Sequence, residues 1–250
     1  MDGVKRLRVK IFADGADFDG ILKMYANPLI KGFTTNPSLM RKAGVTDYEG
    51  YARKVIAAVP DRPISFEVFA DDLDGMIKQA RVIASWGDNV NVKIPVMNTQ
   101  REFTGRAIET LSKEGVAVNV TAVFTLEQVR RITERLAPET PAIVSVFAGR
   151  IADTGRDPVP HMAECVKILK DKPHSELIWA SPRELINIFQ ADAIGCQIIT
   201  VTNDVIAKLA LVDKDLDAYS LETVDMFYRD ATGAGFSIDI GEPALLQGVA

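Results

Sequence analysis

Reactive sulfur and imidazole are almost missing from this sequence: two Cys and two His in 250 residues. His161 and His174 are not spaced with each other or with a carboxylate pair as metal ligands would be, so no metal site is expected. The same scarcity argues against a Ser-His nucleophile. Cys165 and Cys196 lie far apart in apolar segments, which predicts buried free thiols in a reducing compartment rather than a disulfide. No run of 18 apolar residues occurs, so no membrane span is expected. The basic stretch from Met1 to Arg8 leads into only a few apolar residues before Asp14, unlike a secretory signal, and a cytoplasmic location is expected. Positive charge is not in excess either. With 29 Lys+Arg against 34 Asp+Glu the formal charge is −5, which argues against a broad nucleic-acid surface. No Pro/Ser-rich linker or charge run divides the chain, which predicts one domain.

Against these absences stands an ordinary globular balance, 47% apolar and 25% charged, ample for a core without disulfide or metal staples. Short β-like runs near residues 8–13, 30–34, 64–70, 90–94, 116–121, 142–147, 177–180 and 197–201 alternate with amphipathic stretches. The clearest of these stretches cover 72–86, 99–113, 125–136, 161–169 and 182–193. Regular alternation predicts an α/β fold with a parallel sheet, and eight units in this length match a (β/α)₈ TIM barrel. A doubly wound open sheet is the alternative, but no G-x-G-x-x-G follows the first strand. A further helix is expected near 221–228. The barrel and this helix would fill residues 1–237, leaving 238–250 as a flexible tail.

Side chains alternate faces along a strand. In the fourth strand Val90, Val92 and Ile94 share one face, and Asn89, Asn91 and Lys93 the other. In the fifth, valines oppose Ala117, Asn119 and Thr121. Ser65 and Glu67 oppose Ile64, Phe66 and Val68, and Phe12 and Asp14 oppose Val9, Ile11 and Ala13. Ile143, Ser145 and Phe147 share a face, as do Trp179 and Ser181. Polar groups near the carboxyl ends of several strands predict a pocket there.

Lys93, between Val92 and Ile94, is the central candidate. A charged amine is costly to bury, and a neutral one can attack a carbonyl to form a Schiff base; a strand-end lysine can instead snorkel to solvent. Asp14 and Glu67 could shuttle protons beside such an amine, or simply pair with Lys93 or Arg150. Thr34-Thr35-Asn36-Pro37-Ser38 reads locally as a strand-to-helix turn capped by Asn36. Ser181-Pro182-Arg183-Glu184 reads as a capping box with Pro just inside the helix. Arg150 and Arg183 could together grip a phosphate or a similar dianion.

At these residues the chain resembles the transaldolase family, class I Schiff-base enzymes on a (β/α)₈ barrel. Gly32-Phe33-Thr34-Thr35-Asn36-Pro37-Ser38-Leu39 resembles the family's T-T-N-P-S signature. Val92-Lys93-Ile94-Pro95 resembles the segment that carries its imine-forming lysine. Asn119-Val120-Thr121 and Ser145-Val146-Phe147-Ala148-Gly149-Arg150-Ile151 follow in the family's order. The resemblance implies that Lys93 forms the imine and that Asp14 takes the sugar hydroxyl proton as the C3–C4 bond breaks. It implies that Glu67 and Thr121 hold the catalytic water. Asn36 and Asn119 would contact the dihydroxyacetone part, Ser145 would add to that polar wall, and Arg150, Ser181 and Arg183 would bind phosphate. No cofactor is implied, and ketose and aldose phosphates are the implied partners.

Fructose-6-phosphate aldolases share the barrel and the lysine but typically have Gln at Glu67 and Tyr at Phe147, and lack the asparagine found as Asn119. A tyrosine hydroxyl can protonate the bound carbanion and release it; Phe147 cannot, which favours transfer of the dihydroxyacetone unit over release of it. Gly15 replaces the family's usual Thr, and Pro182 stands where an aromatic is usual. Both changes lie at the pocket rim and bear on the donor. A sulfo-sugar could use the same arginines, and a non-catalytic sugar-phosphate binding barrel would keep the pocket without turnover. Short members of the family commonly form homo-oligomers, pentamers or decamers, through a C-terminal helix.

Overall fold

The computed structural model describes residues 2–239. Eight strands run β1 (Lys10–Asp14), β2 (Ile30–Thr34), β3 (Ile64–Glu67), β4 (Val90–Pro95), β5 (Val118–Val123), β6 (Ala142–Val146), β7 (Ser175–Trp179) and β8 (Ile198–Thr202). They pair in parallel and in sequence order, and β8 closes on β1, making the (β/α)₈ barrel. The helices are α1 (Asp2–Lys5), α2 (Phe18–Tyr25), α3 (Pro37–Lys42), α4 (Tyr48–Ala58), α5 (Leu73–Ala84), α6 (Gly105–Lys113), α7 (Leu126–Arg135), α8 (Ala148–Ala152), α9 (Pro158–Leu169), α10 (Ile186–Ala193), α11 (Asn203–Ala207) and α12 (Leu216–Gly233). Among the described residues, no helix is long and apolar enough to cross a membrane.

Caps mark where helices begin. Asp17, Asp47 and Asp72 each accept the backbone N–H three residues on, at a glycine, and so satisfy an orphan donor of α2, α4 and α5. Thr125 and Gln128 form a reciprocal capping box on α7. Behind the strands the outward set, such as Val90, Val92 and Ile94, is buried together with Met76, Ala80 and Ile83 of α5. Cys165 and Cys196 are free and buried, and burial pushes both thiols up to about 12.

The barrel interior has an apolar part and a polar part. Phe12, Ile143, Ile178, Ala180 and Ile198 cluster on one side. A Cβ at Gly32 would lie 2.5 Å from the Phe12 ring, so the absence of a side chain on β2 is what admits that ring. Across the interior, Ser65 and Asn119 are fully buried and hydrogen-bonded to each other at 3.0 Å. At the amino-terminal end Lys10 pairs with Glu176.

Five sequence expectations need correction. The predicted face shared by Trp179 and Ser181 does not exist as such. Ile178 and Ala180 point inward, and Ser181 joins them because its left-handed backbone (φ 56°) breaks the alternation. The helix expected from 182 begins at Ile186, and no side chain caps it at Leu185; Asn187 Oδ1 instead accepts the N–H groups of Arg183 and Glu184. The expected capping box at Ser181 is therefore absent. The helix expected from 99 begins at Gly105, because the Asn98 side chain holds residues 98–102 in a turn with Arg101 left-handed. The fifth strand starts and ends two residues later than expected, and its pairing with β6 slips between Val120 and Val123 around left-handed Ala122.

Two compact units are distinguished, residues 2–210 with the barrel and residues 211–239 with α12. Asp215 caps α12, and Lys214 pairs with Glu222 on it. The helix is longer at both ends than expected, and its Leu216, Leu221, Val224, Phe227 and Tyr228 are exposed. Of the expected tail, residues 240–250 lie outside the described residues.

Candidate active site

Strand register builds the centre. Glu67, Lys93 and Asn119 are neighbours at one level of β3, β4 and β5, so all three project inward together. Lys93 Nζ lies 3.5 Å from Glu67 Oε2 and donates to the Thr35 carbonyl at 2.8 Å. The lysine is buried, with 8% of its side chain exposed, so its head stays inside the barrel and does not snorkel out. Across the mouth, Asp14 ends β1. Its Oδ1 accepts from the Thr34 hydroxyl at 2.7 Å, and Thr34 also meets the Thr200 hydroxyl of β8. Thr34 has one proton, which goes to Asp14, so Thr200 must donate to Thr34.

The Thr34-Thr35-Asn36 run therefore has three separate tasks. Thr34 holds Asp14, the Thr35 carbonyl receives Lys93, and the Asn36 side chain caps α3 through the Leu39 N–H at 3.0 Å. The local capping role expected of Asn36 is present, and Asn36 also lines the cavity.

These groups surround a cavity of about 510 Å³ at the carboxyl ends of the strands. Asp14, Asn36, Glu67, Lys93, Thr121, Ser145, Phe147, Arg150 and Ser181 all line it, with Thr34, Ala122 and Thr200 also in its wall. The Thr121 hydroxyl is buried there without a hydrogen-bond partner. A buried orphan hydroxyl is expensive, and a bound water or substrate oxygen would satisfy it. Arg150 lies over the Phe147 ring, 5.2 Å from its centroid.

Two expected site residues stand elsewhere. Asn119 is fully buried below the cavity floor; its Oδ1 accepts from Ser145 Oγ at 2.7 Å, so it orients Ser145, which does line the cavity. Arg183 is held by both oxygens of Asp153 and lines an adjoining space of about 280 Å³ that shares Asp14, Ser181 and Thr200 with the main cavity. The two arginines thus do not converge on one cavity wall.

Burial raises both carboxyl groups. For Asp14, loss of solvent outweighs the Thr34 hydrogen bond and the Lys93 charge, and its carboxyl sits above the usual range. For Glu67 the same loss outweighs the Lys93 charge and hydrogen bond. Each is an acid that keeps its proton to higher pH than a surface carboxylate, which suits a group that takes up and returns a proton.

Tyr48 went unrecognised in the sequence. Its hydroxyl donates to the Glu67 carbonyl at 3.0 Å and accepts the Glu67 N–H at 2.8 Å, clamping the end of β3. Tyr51, one turn on along α4, donates to the Ala16 carbonyl at 2.5 Å and pins the loop after Asp14. Their (i, i+3) spacing on a helix was the available signal. Gly149 is a further constraint: a Cβ there would lie 1.4 Å from the Ser181 carbonyl oxygen, so the loops after β6 and β7 interlock only around glycine.

Residues 11–238 match the transaldolase/fructose-6-phosphate aldolase family. The chain belongs to this family of enzymes. Among its relatives, a probable transaldolase of Methanococcus maripaludis is 36% identical over 202 residues, which are 80% of this chain and 89% of the relative. A probable transaldolase of Dehalococcoides mccartyi is also 36% identical, over 80% of this chain and 90% of its own. One from a Thermoanaerobacter species is 37% identical over 203 residues. A solved structure of a mandelate oxidase mutant shares the fold at TM-score 0.53 and 16% identity, covering 90% of this chain and 74% of that one. That likeness concerns the barrel alone. The Thr34-Thr35-Asn36 run of this chain thus joins Asp14, Lys93 and α3.

Proposed function

We propose that the protein is a transaldolase, a transferase that moves a dihydroxyacetone unit from a ketose phosphate to an aldose phosphate through an imine on Lys93. The observation that carries this reading is a buried amine that shares one polar cavity with two buried carboxyl groups, both raised above the usual carboxylate range by loss of solvent. Lys93 adds to the ketone carbonyl, and water is lost to give the imine. Asp14 accepts the C4 hydroxyl proton as the C3–C4 bond breaks, which releases the first aldose and leaves an enamine. The acceptor aldehyde adds to that enamine with return of the proton. Water held between Glu67 and the unpartnered Thr121 hydroxyl then hydrolyses the imine. Ser145, oriented by Asn119, and Asn36 supply hydrogen bonds to the three-carbon unit. Arg150 and Ser181 receive the phosphate, and Arg183 joins them only on leaving Asp153.

Phe147 in the cavity wall favours transfer over release, because it offers the enamine no proton. The free thiols accord with a cytoplasmic location. The exposed apolar side chains of α12 accord with a pentamer or decamer joined through that helix. The test is a coupled donor–acceptor screen. Fructose 6-phosphate with erythrose 4-phosphate is expected to give a seven-carbon ketose phosphate, with no free dihydroxyacetone when the acceptor is omitted. Release of dihydroxyacetone without acceptor would identify a lyase. Turnover only with a sulfonated donor would move the substrate to sulfo-sugars.

A further inference from the structure

A second cavity of about 490 Å³ opens beside the catalytic one, lined by Phe124, Thr125, Leu126, Ile151, Thr154, Arg156 and His161. No residue lines both cavities. They are separated by the tilted pair of Phe124 and Phe147, whose ring centroids are 5.7 Å apart. Two of its polar groups are left for a ligand. His161 Nε2 is buried without a hydrogen-bond partner. A ligand hydroxyl, which can both donate and accept, satisfies Nε2 in either tautomer of the ring. Arg156 donates through Nη1 to the Thr154 hydroxyl at 2.7 Å and forms no ion pair among the described residues, so most of its guanidinium is available for an anion.

We propose that this cavity is a second binding site, separate from the catalytic centre, for a small hydroxylated anion. A ligand hydroxyl hydrogen-bonds His161 Nε2, and its phosphate or carboxylate end accepts from Arg156. Phe124, Leu126 and Ile151 contact the carbon skeleton between the two ends. A sugar phosphate and a hydroxy acid share this chemistry. The site does not depend on the reading of Lys93.

Because His161 and His174 are the only histidines, NMR of the full chain labelled with 15N-histidine reports on the cavity directly. Glycerol 3-phosphate is the first probe and glycerate the second; His174, half-exposed beside Glu139, is the internal reference. The expected result is a saturable shift of His161 Nε2 with at least one of them, with His174 unmoved. The shift persists in Lys93→Ala, and Arg156→Ala weakens binding about tenfold or more, as loss of a charge-assisted hydrogen bond should. Methyl phosphate, which lacks the alcohol, binds more weakly than glycerol 3-phosphate. The relative response to the two probes tells which anionic end is preferred. No saturable shift with either hydroxylated anion, an equal response to methyl phosphate, or a response that Arg156→Ala leaves intact would overturn the proposal.

Discussion

Asp14 has two demands on it that pull apart. Burial holds its carboxyl above the ordinary range, which suits proton exchange and penalises the charged form in the folded chain. Between the unfolded value near 3.8 and the raised folded value, the folded state binds more protons than the unfolded one, so this group's contribution to stability falls as pH rises. Asp14→Asn keeps an oxygen for Thr34 and removes the penalty. Melting curves are expected to show the variant above wild type at pH 7 to 8, with the gap closing by about pH 3, while turnover drops by roughly 10²–10⁴. At Phe147 the expected change is qualitative. Phe147→Tyr places a hydroxyl in the cavity wall, and an assay for free dihydroxyacetone in the absence of acceptor should turn from negative to positive.

At the scale of elements, α4 braces the site from behind. Tyr48 clamps Glu67 and Tyr51 pins the loop after Asp14. Tyr48→Phe removes both bonds to the Glu67 backbone and keeps the ring packed between Phe66 and Phe69. It is expected to lower kcat more than it raises KM, with a melting loss of about 1–3 kcal/mol from the unsatisfied backbone groups. Gly149→Ala forces a Cβ into the Ser181 carbonyl, and chemical denaturation should register a loss of about 3 kcal/mol or more. Elements were legible in the sequence where period and local chemistry agreed. The alternation around Lys93 placed Glu67, Lys93 and Asn119 on one face, and register then set them at one level. Reading failed where a non-glycine residue adopts a left-handed backbone: Ser181, just past β7, broke the alternation that would have put it on the face of Trp179, and Ala122 slipped the pairing of β5. Nothing local in Ser or Ala announces such a conformation, because tertiary contacts impose it. Ion pairing was equally invisible, so Arg183 was assigned to the cavity although Asp153, 30 residues away in the chain, holds it.

For the whole molecule, the barrel explains how a chain poor in Cys and His can assemble a reactive centre. Parallel strands bring Asp14, Glu67, Lys93 and Thr121 from four separate stretches to one end of the sheet, where loops leave room for a cavity. The glycine that admits Phe12 and the polar pair Ser65–Asn119 fill the floor beneath them, so the amine rests on a packed layer rather than an open pore. Everything then depends on one covalent bond. Intact mass spectrometry after borohydride reduction in the presence of fructose 6-phosphate tests it most directly. The account predicts a stable adduct of one reduced three-carbon unit or of the intact donor, mapping by peptide digestion to Lys93 and missing from a folded Lys93→Ala variant. An active wild-type enzyme that yields no adduct, or an adduct that persists in Lys93→Ala, would contradict it.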